Sequence, residues 1–434
     1  MAFATPATKS VRARKGPVGV RRMACAALVC LPVLSLAEGV EFSGQLRSYV
    51  IERDSAAAGP LAMANTLQPG TVAVDPSTAT VQVELKAAGK LGAVSLQTSA
   101  TLQAQKAQET GDAIGTLGRV NEAYATGQVM GWQWSAGKKV VSWDVGFGFR
   151  PNDLVQQEIR RILAPETLEG HPLWMAEYFD ADTAWSIVWV NPTAAQAATG
   201  AQEAALDARV YWRQGAVDWH GFARQGDHTG TSLGAAVSWV ASDAVELHAS
   251  LRAFAHADTL SSSATGAELS ASNPWRPSTQ GGGQQVLVGG TWTNASQVSL
   301  LLEAWHDDSA LTDAQWSTWS ARNLALPQWL QRRIPAAAVA GNLAWQGNAF
   351  GVSTNLRQDN LFARLSWQYE RWQPALDVLY TPADQGNIVT ASVVWTGEHI
   401  KLEGGARSYG GPQDAIVRQL PVQRQAYVVG TWAF

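Results

Sequence analysis

The side chains best suited to act on another molecule are cations. Arg150, Arg160 and Arg161 cluster in one stretch, and Arg209, Arg213, Arg252, Arg364 and Arg407 each stand within a segment that alternates polar and apolar residues. A guanidinium presents a planar fork of N–H donors matched to carboxylate or phosphate, so such a set could steer anions. Beyond residue 37, arginine outnumbers lysine by 20 to 6. A genome rich in Arg, Ala and Gly codons gives the same bias, and that explanation outweighs a functional one. Acids at similar positions, namely Asp207, Asp218, Glu246, Glu303, Asp377 and Glu403, offset part of the field.

Bond-making chemistry has little support. His171, His220, His228, His248, His256, His306 and His399 share no spacing with a nucleophile, and no phosphate loop or nucleotide fingerprint occurs. The two cysteines, Cys25 and Cys30, fall in the first forty residues, so the remaining chain has neither disulfides nor thiolate metal ligands. The sequence therefore predicts no catalytic site, no cofactor and no metal site.

The start of the chain carries Lys9, Arg12, Arg14, Lys15, Arg21 and Arg22 without an acid. An apolar run from Met23 to Leu36 and a Ser35-Leu36-Ala37 cleavage pattern follow. That reads as a signal peptide over 1–37, too short in its apolar run for a membrane span. Its removal takes the net charge from −4 to −10, since six of the 32 Lys plus Arg lie there against 36 acids elsewhere. No basic face for nucleic acid is implied.

Residues 38–434 show period-two alternation nearly throughout, punctuated by 20 Trp. The pattern predicts strands at 41–53, 80–88, 91–104, 119–127, 132–143, 172–179, 183–191, 204–213 and 216–225. It continues at 230–240, 245–256, 284–294, 297–306, 359–370, 374–381, 387–396, 399–409 and 425–434. Connections alternate between tight turns, such as Gly89-Lys90 and Arg371-Trp372-Gln373, and mostly longer loops, of which 144–171, 257–283 and 307–358 stand out. Along 245–256, Leu247 and Leu251 fall on one face, with Glu246, His248 and Arg252 on the other. Apolar outside and charged inside is the reverse of a soluble β-protein. In lipid, strands must close on themselves to pair every backbone group. The expected fold is all-β: a transmembrane, antiparallel, up-and-down barrel of about 18 strands (range 16–18). Both termini should then share the short-turn rim, facing the periplasm, with the long loops extracellular.

Two loops look structured. Gly146 and Gly148 permit a reversal after Trp143, which would bring Arg150, Arg160 and Arg161 to a constriction; a solvated surface loop is the even alternative. Thr312 and Gln315 have capping-box spacing, predicting a helix that caps the mouth or lies on its rim.

The final stretch, Gln425-Ala-Tyr-Val-Val-Gly-Thr-Trp-Ala-Phe434, resembles the terminal strand of Gram-negative outer-membrane β-barrels. That resemblance implies that Trp432 and Phe434 belong to the signal read by the barrel-assembly machinery, with outer-membrane lipid as the surrounding solvent. The Gly137–Trp143 approach is similar to that of the inward loop of porin-type barrels. Eighteen strands with an arginine-bearing interior resemble substrate-specific porins and the alginate-export channel. The expected function is a channel for passive diffusion of small hydrophilic solutes, anions among them. The competing expectations are a structural or adhesive barrel with its lumen plugged by loops and, third, an outer-membrane hydrolase.

Overall fold

Alternation becomes architecture in a computed structural model that describes residues 38–73, 77–107, 114–156, 167–195 and 198–434. The expected signal peptide, 1–37, lies outside the described residues, as do Arg160 and Arg161. The strands are β1 Glu38–Ser55, β2 Ser77–Leu91, β3 Val94–Ala107, β4 Ile114–Val129, β5 Trp132–Lys139, β6 His171–Phe179 and β7 Thr183–Val190. Next come β8 Ala205–Gln214, β9 Val217–Gly226, β10 Gly230–Ser242 and β11 Val245–Phe254. A side hairpin follows, β12 Ala257–Ser262 and β13 Trp275–Gln280. The series ends with β14 Gly283–Thr293, β15 Val298–Asp307, β16 Asp359–Trp367, β17 Trp372–Thr381, β18 Gly386–Thr396, β19 Ile400–Gly410 and β20 Val422–Ala433.

All but β12 and β13 form one 18-stranded sheet in which every strand pairs antiparallel with its neighbours in sequence. The ring closes where β20 pairs with β1, from Gln45 opposite Ala433 to Ser55 opposite Val422. No sheet edge is left, as a membrane demands. The outward face is apolar. Along β7, Trp185, Ile187 and Trp189 are 51%, 48% and 50% exposed, whereas the alternate Ser186 and Val188 are 2% and 0% exposed. The first Trp of the chain is Trp132, so none lies on β1 to β4.

Three expectations need correction. The turn placed at Gly89-Lys90 is at Gly92-Ala93: Lys90 pairs with both Glu38 and Ser95, and Gly92 takes the left-handed backbone (φ +60°). The turn placed at 371–373 begins earlier, with β16 ending at Trp367 and Glu370 adopting φ 51°. Nor is the inner face uniformly polar, because Leu173, Met175, Val188, Val190 and Phe222 point inward into an apolar cluster.

The long-loop rim carries a folded cap. Helix α1 (Pro60–Leu67), helix α2 (Asp313–Ala325), a 3-10 segment (Leu326–Arg332) and helix α3 (Ala336–Trp345) lie on it. The expected capping box is formed: Gln315 N–H donates to Thr312 Oγ1 at 3.2 Å, and Thr312 N–H donates to Gln315 Oε1 at 2.8 Å. Ala64 of α1 packs with Leu326, Val339, Ala340 and Leu343. Leu61, Trp316, Trp319 and Phe350 join Ile416 and Leu420 from the 411–421 connection. Burying this much apolar surface between loops stabilises a cap that no single loop could form alone.

Candidate pore lining and constriction

After β5 the chain turns into the barrel rather than away from it. Val141, Trp143, Leu154 and Val155 cover the inward apolar strip on β6, β7, β9 and β10. Two carboxylates shape the reversal. Asp144 accepts from the N–H of Asn152 at 2.6 Å and from Ser250 Oγ at 2.9 Å. Asp153 accepts from Ser142 Oγ at 3.0 Å and Trp143 N–H at 3.1 Å. Burial pushes the Asp153 carboxyl up to about 6, against the lowering by those two donors and by Arg150.

The tip of the loop reaches the far wall. Phe147 and Gly148 donate their N–H groups to the carboxylate of Glu303, each at 2.6 Å. Glu303 is on β15, eight strands round the ring from β5. Phe149 stacks on Trp305 at 5.9 Å and Phe147 on Phe362 at 5.8 Å. Asn152 Nδ2 donates to Ser250 Oγ at 2.9 Å and to the Leu251 carbonyl at 3.0 Å. Arg224 ties the descending arm, donating to the Leu154 carbonyl at 2.9 Å while paired with Asp207 and Glu203 at 3.0 and 3.1 Å. Of the two expectations for this loop, the inward course is observed for residues 140–156, while Arg160 and Arg161 lie outside the described residues.

Among the described residues, the arginines singled out in the sequence are not gathered into one ring. Arg150 turns back on its own loop, donating from Nε to the Gly146 carbonyl at 2.8 Å and from Nη1 to Ser142 Oγ at 2.7 Å. Arg213 stands beside the Gly215 turn, paired with Asp218 at 3.3 Å. Arg252 is two residues from the opposite end of its strand, its guanidinium 5.8 Å over the Phe254 ring. Arg209 contacts His220 Nδ1 at 3.3 Å. Arg364 and Arg407 are brought together: the register aligns Arg364, Asp377, Thr390 and Arg407 on four consecutive strands. Arg364 donates to both oxygens of Asp377 at 3.0 and 2.9 Å, and Arg407 Nε donates to Thr390 Oγ1 at 2.8 Å. Arg364 and Asp377 remain 26% and 22% exposed, and the Arg364 guanidinium lies 5.4 Å over the ring of Phe147 at the loop tip.

Sequence reasoning placed Glu303, Glu246 and Asp207 inward only as acids that offset the arginine field, and it gave Asn152 no role. One signal was available for the covered wall: Trp185-Ser-Ile-Val-Trp-Val190 is apolar on both faces, which marks a strand covered inside as well as outside. At the seam, Phe434 exchanges backbone hydrogen bonds with Gly44, at 2.9 and 3.0 Å, and its ring lies 5.1 Å from that of Trp432.

No family model and no curated protein matches the sequence. Solved structures do. The barrel is similar to Pseudomonas aeruginosa OccK5 (OpdH), with a TM-score of 0.54 at 8% identity, covering 92% of this chain and 99% of that one. It is also similar to Pseudomonas aeruginosa OccD3 (OpdP), with a TM-score of 0.53 at 8% identity, covering 92% of each chain. The likeness extends over the whole closed barrel. At such identity the likeness is one of fold, and the function has to be argued from the interior.

Proposed function

We propose that the protein is an outer-membrane channel through which small hydrophilic solutes diffuse passively. The observation that carries the reading is the loop fixed from β5 to the far wall, its tip beside Arg364 and Asp377, which stay partly exposed in register with Thr390 and Arg407. A loop clamped across a lumen narrows it and sets a size limit, and charged groups in the remaining opening act on ions through low-dielectric walls. An anion preference, resting on Arg407 and Arg364 rather than on Arg150, is part of the proposal. The apolar outer wall and the closed sheet support residence in lipid, and the terminal strand supports insertion by the barrel-assembly machinery.

The cap on the long-loop rim favours a second reading, a barrel whose mouth is blocked and whose outer surface binds something. Proteoliposome swelling separates the two. Under the channel reading, liposomes swell in isotonic solutions of small sugars or amino acids, more slowly as the solute grows. Absence of swelling with a correctly folded barrel favours the blocked form.

A further inference from the structure

We propose that Glu303, braced by His248, is the positioning residue that holds the constriction loop on the far wall. The consequence for aperture rests on the channel reading; the positional claim does not. Glu303 is buried, and its two oxygens receive the consecutive amides of Phe147 and Gly148. Successive backbone N–H groups converging on a carboxylate form an anion nest, which a loop without acidic or basic side chains at those positions can offer. Behind the carboxylate, His248 Nε2 lies 3.0 Å from Glu303 Oε1, and Nδ1 lies 3.0 Å from Glu246 Oε2. Both contacts are hydrogen bonds only when both ring nitrogens carry protons, so the imidazolium bridges two acids. Glu246 is further fixed by Ser238 Oγ at 2.8 Å.

The wall is cut to receive this assembly. A Cβ at Gly289 would stand 2.6 Å from both Glu303 Cγ and His248 Nε2, and one at Gly234 would overlap the Asn152 side chain. A Cβ at Gly148 would come within 3.0 Å of Glu303 Oε2. Loop and wall therefore meet at a built socket, with glycine on both sides. A buried carboxylate without its donors is strongly disfavoured, so undocking the loop costs Glu303 two charge-assisted hydrogen bonds at once.

The test uses the cysteine-free chain after residue 37 with one thiol added on the wall under the loop, Leu287→Cys, in the full-length barrel. Maleimide labelling should be slow in that background and about ten-fold faster when Glu303→Gln is added, since Gln turns an amide N–H toward one loop N–H. His248→Asn should give an intermediate rate, and heat-modifiable migration should be unchanged because strand pairing is untouched. A rate unchanged by Glu303→Gln overturns the proposal, whether or not the protein conducts. A raised rate in a barrel that passes no current supports the latch while removing the channel reading. Larger, noisier current together with the raised rate supports both.

Discussion

Asn152 and Asp153 show how much of this interior is decided by single polar atoms. Asn152 is fully buried and spans loop and wall, so its loss leaves buried partners unsatisfied at about 1–3 kcal/mol. Asp153 carries a pH dependence with a definite sign. Its carboxyl titrates near 6 when the loop is docked, against about 4 when free. The docked form thus binds more protons, and docking gains strength as pH falls through 6 and toward 4. Loop-dependent current fluctuations should become rarer as pH falls through 6 toward about 4, and Asp153→Asn should weaken that dependence, leaving the part carried by Asp144, whose carboxyl burial also raises. Single-channel recording checks it, and a mutant with wild-type pH behaviour would remove Asp153 from this role. None of this was legible in the sequence. Asn152 and Asp153 follow Pro151 in what reads as an ordinary polar turn, and a partner 98 residues away, Ser250, leaves no local trace. Arg150 failed for a related reason: the type of a side chain gives its chemistry but not which way its fork turns.

At the scale of elements, the strands were the most legible part. The period of two survives in sequence because lipid and lumen impose opposite demands on alternate side chains. All eighteen barrel strands overlap the stretches that alternation marks, with shifts where pairing continues past a turn-like pair such as Gly89-Lys90, and with 132–143 cut short at Lys139, where the chain leaves the wall. The helix at Pro60 escaped notice because its N-cap, Gly59, supplies no capping side chain, whereas Thr312 and Gln315 announced α2. The β12–β13 hairpin was likewise hidden in a stretch taken for loop. The terminal strand is the element most open to test. Phe434 closes the ring through its backbone bonds to Gly44, and both Trp432 and Phe434 face outward, about half exposed. Replacing Trp432 and Phe434 together by Ala should reduce membrane insertion several-fold while export across the inner membrane continues. The check is the yield of heat-modifiable barrel in outer-membrane fractions. Wild-type yield from the double substitution would deny those residues an assembly role.

Over the whole molecule, two insertions with different jobs share one lumen. The 140–156 arm crosses the barrel, lying against a wall with buried Asp207, Arg224, His248 and Glu303, and its tip residue Phe147 reaches the guanidinium of Arg364, which stays partly exposed with Asp377. The two insertions meet at Trp305, which stacks on Phe149 and donates from Nε1 to Asn355 Oδ1 at 3.0 Å. Under the channel reading, net charge says little about ion preference. Acids on loops are screened within about 8 Å at physiological ionic strength, while a permeating ion responds to the groups at its narrowest passage. The most direct measurement is therefore planar-bilayer recording of the purified barrel, with reversal potentials taken in a salt gradient for wild type and Arg407→Gln. The account predicts a steady ion current, anion-selective in wild type and less so in the variant. A folded, inserted barrel that carries no current would contradict it.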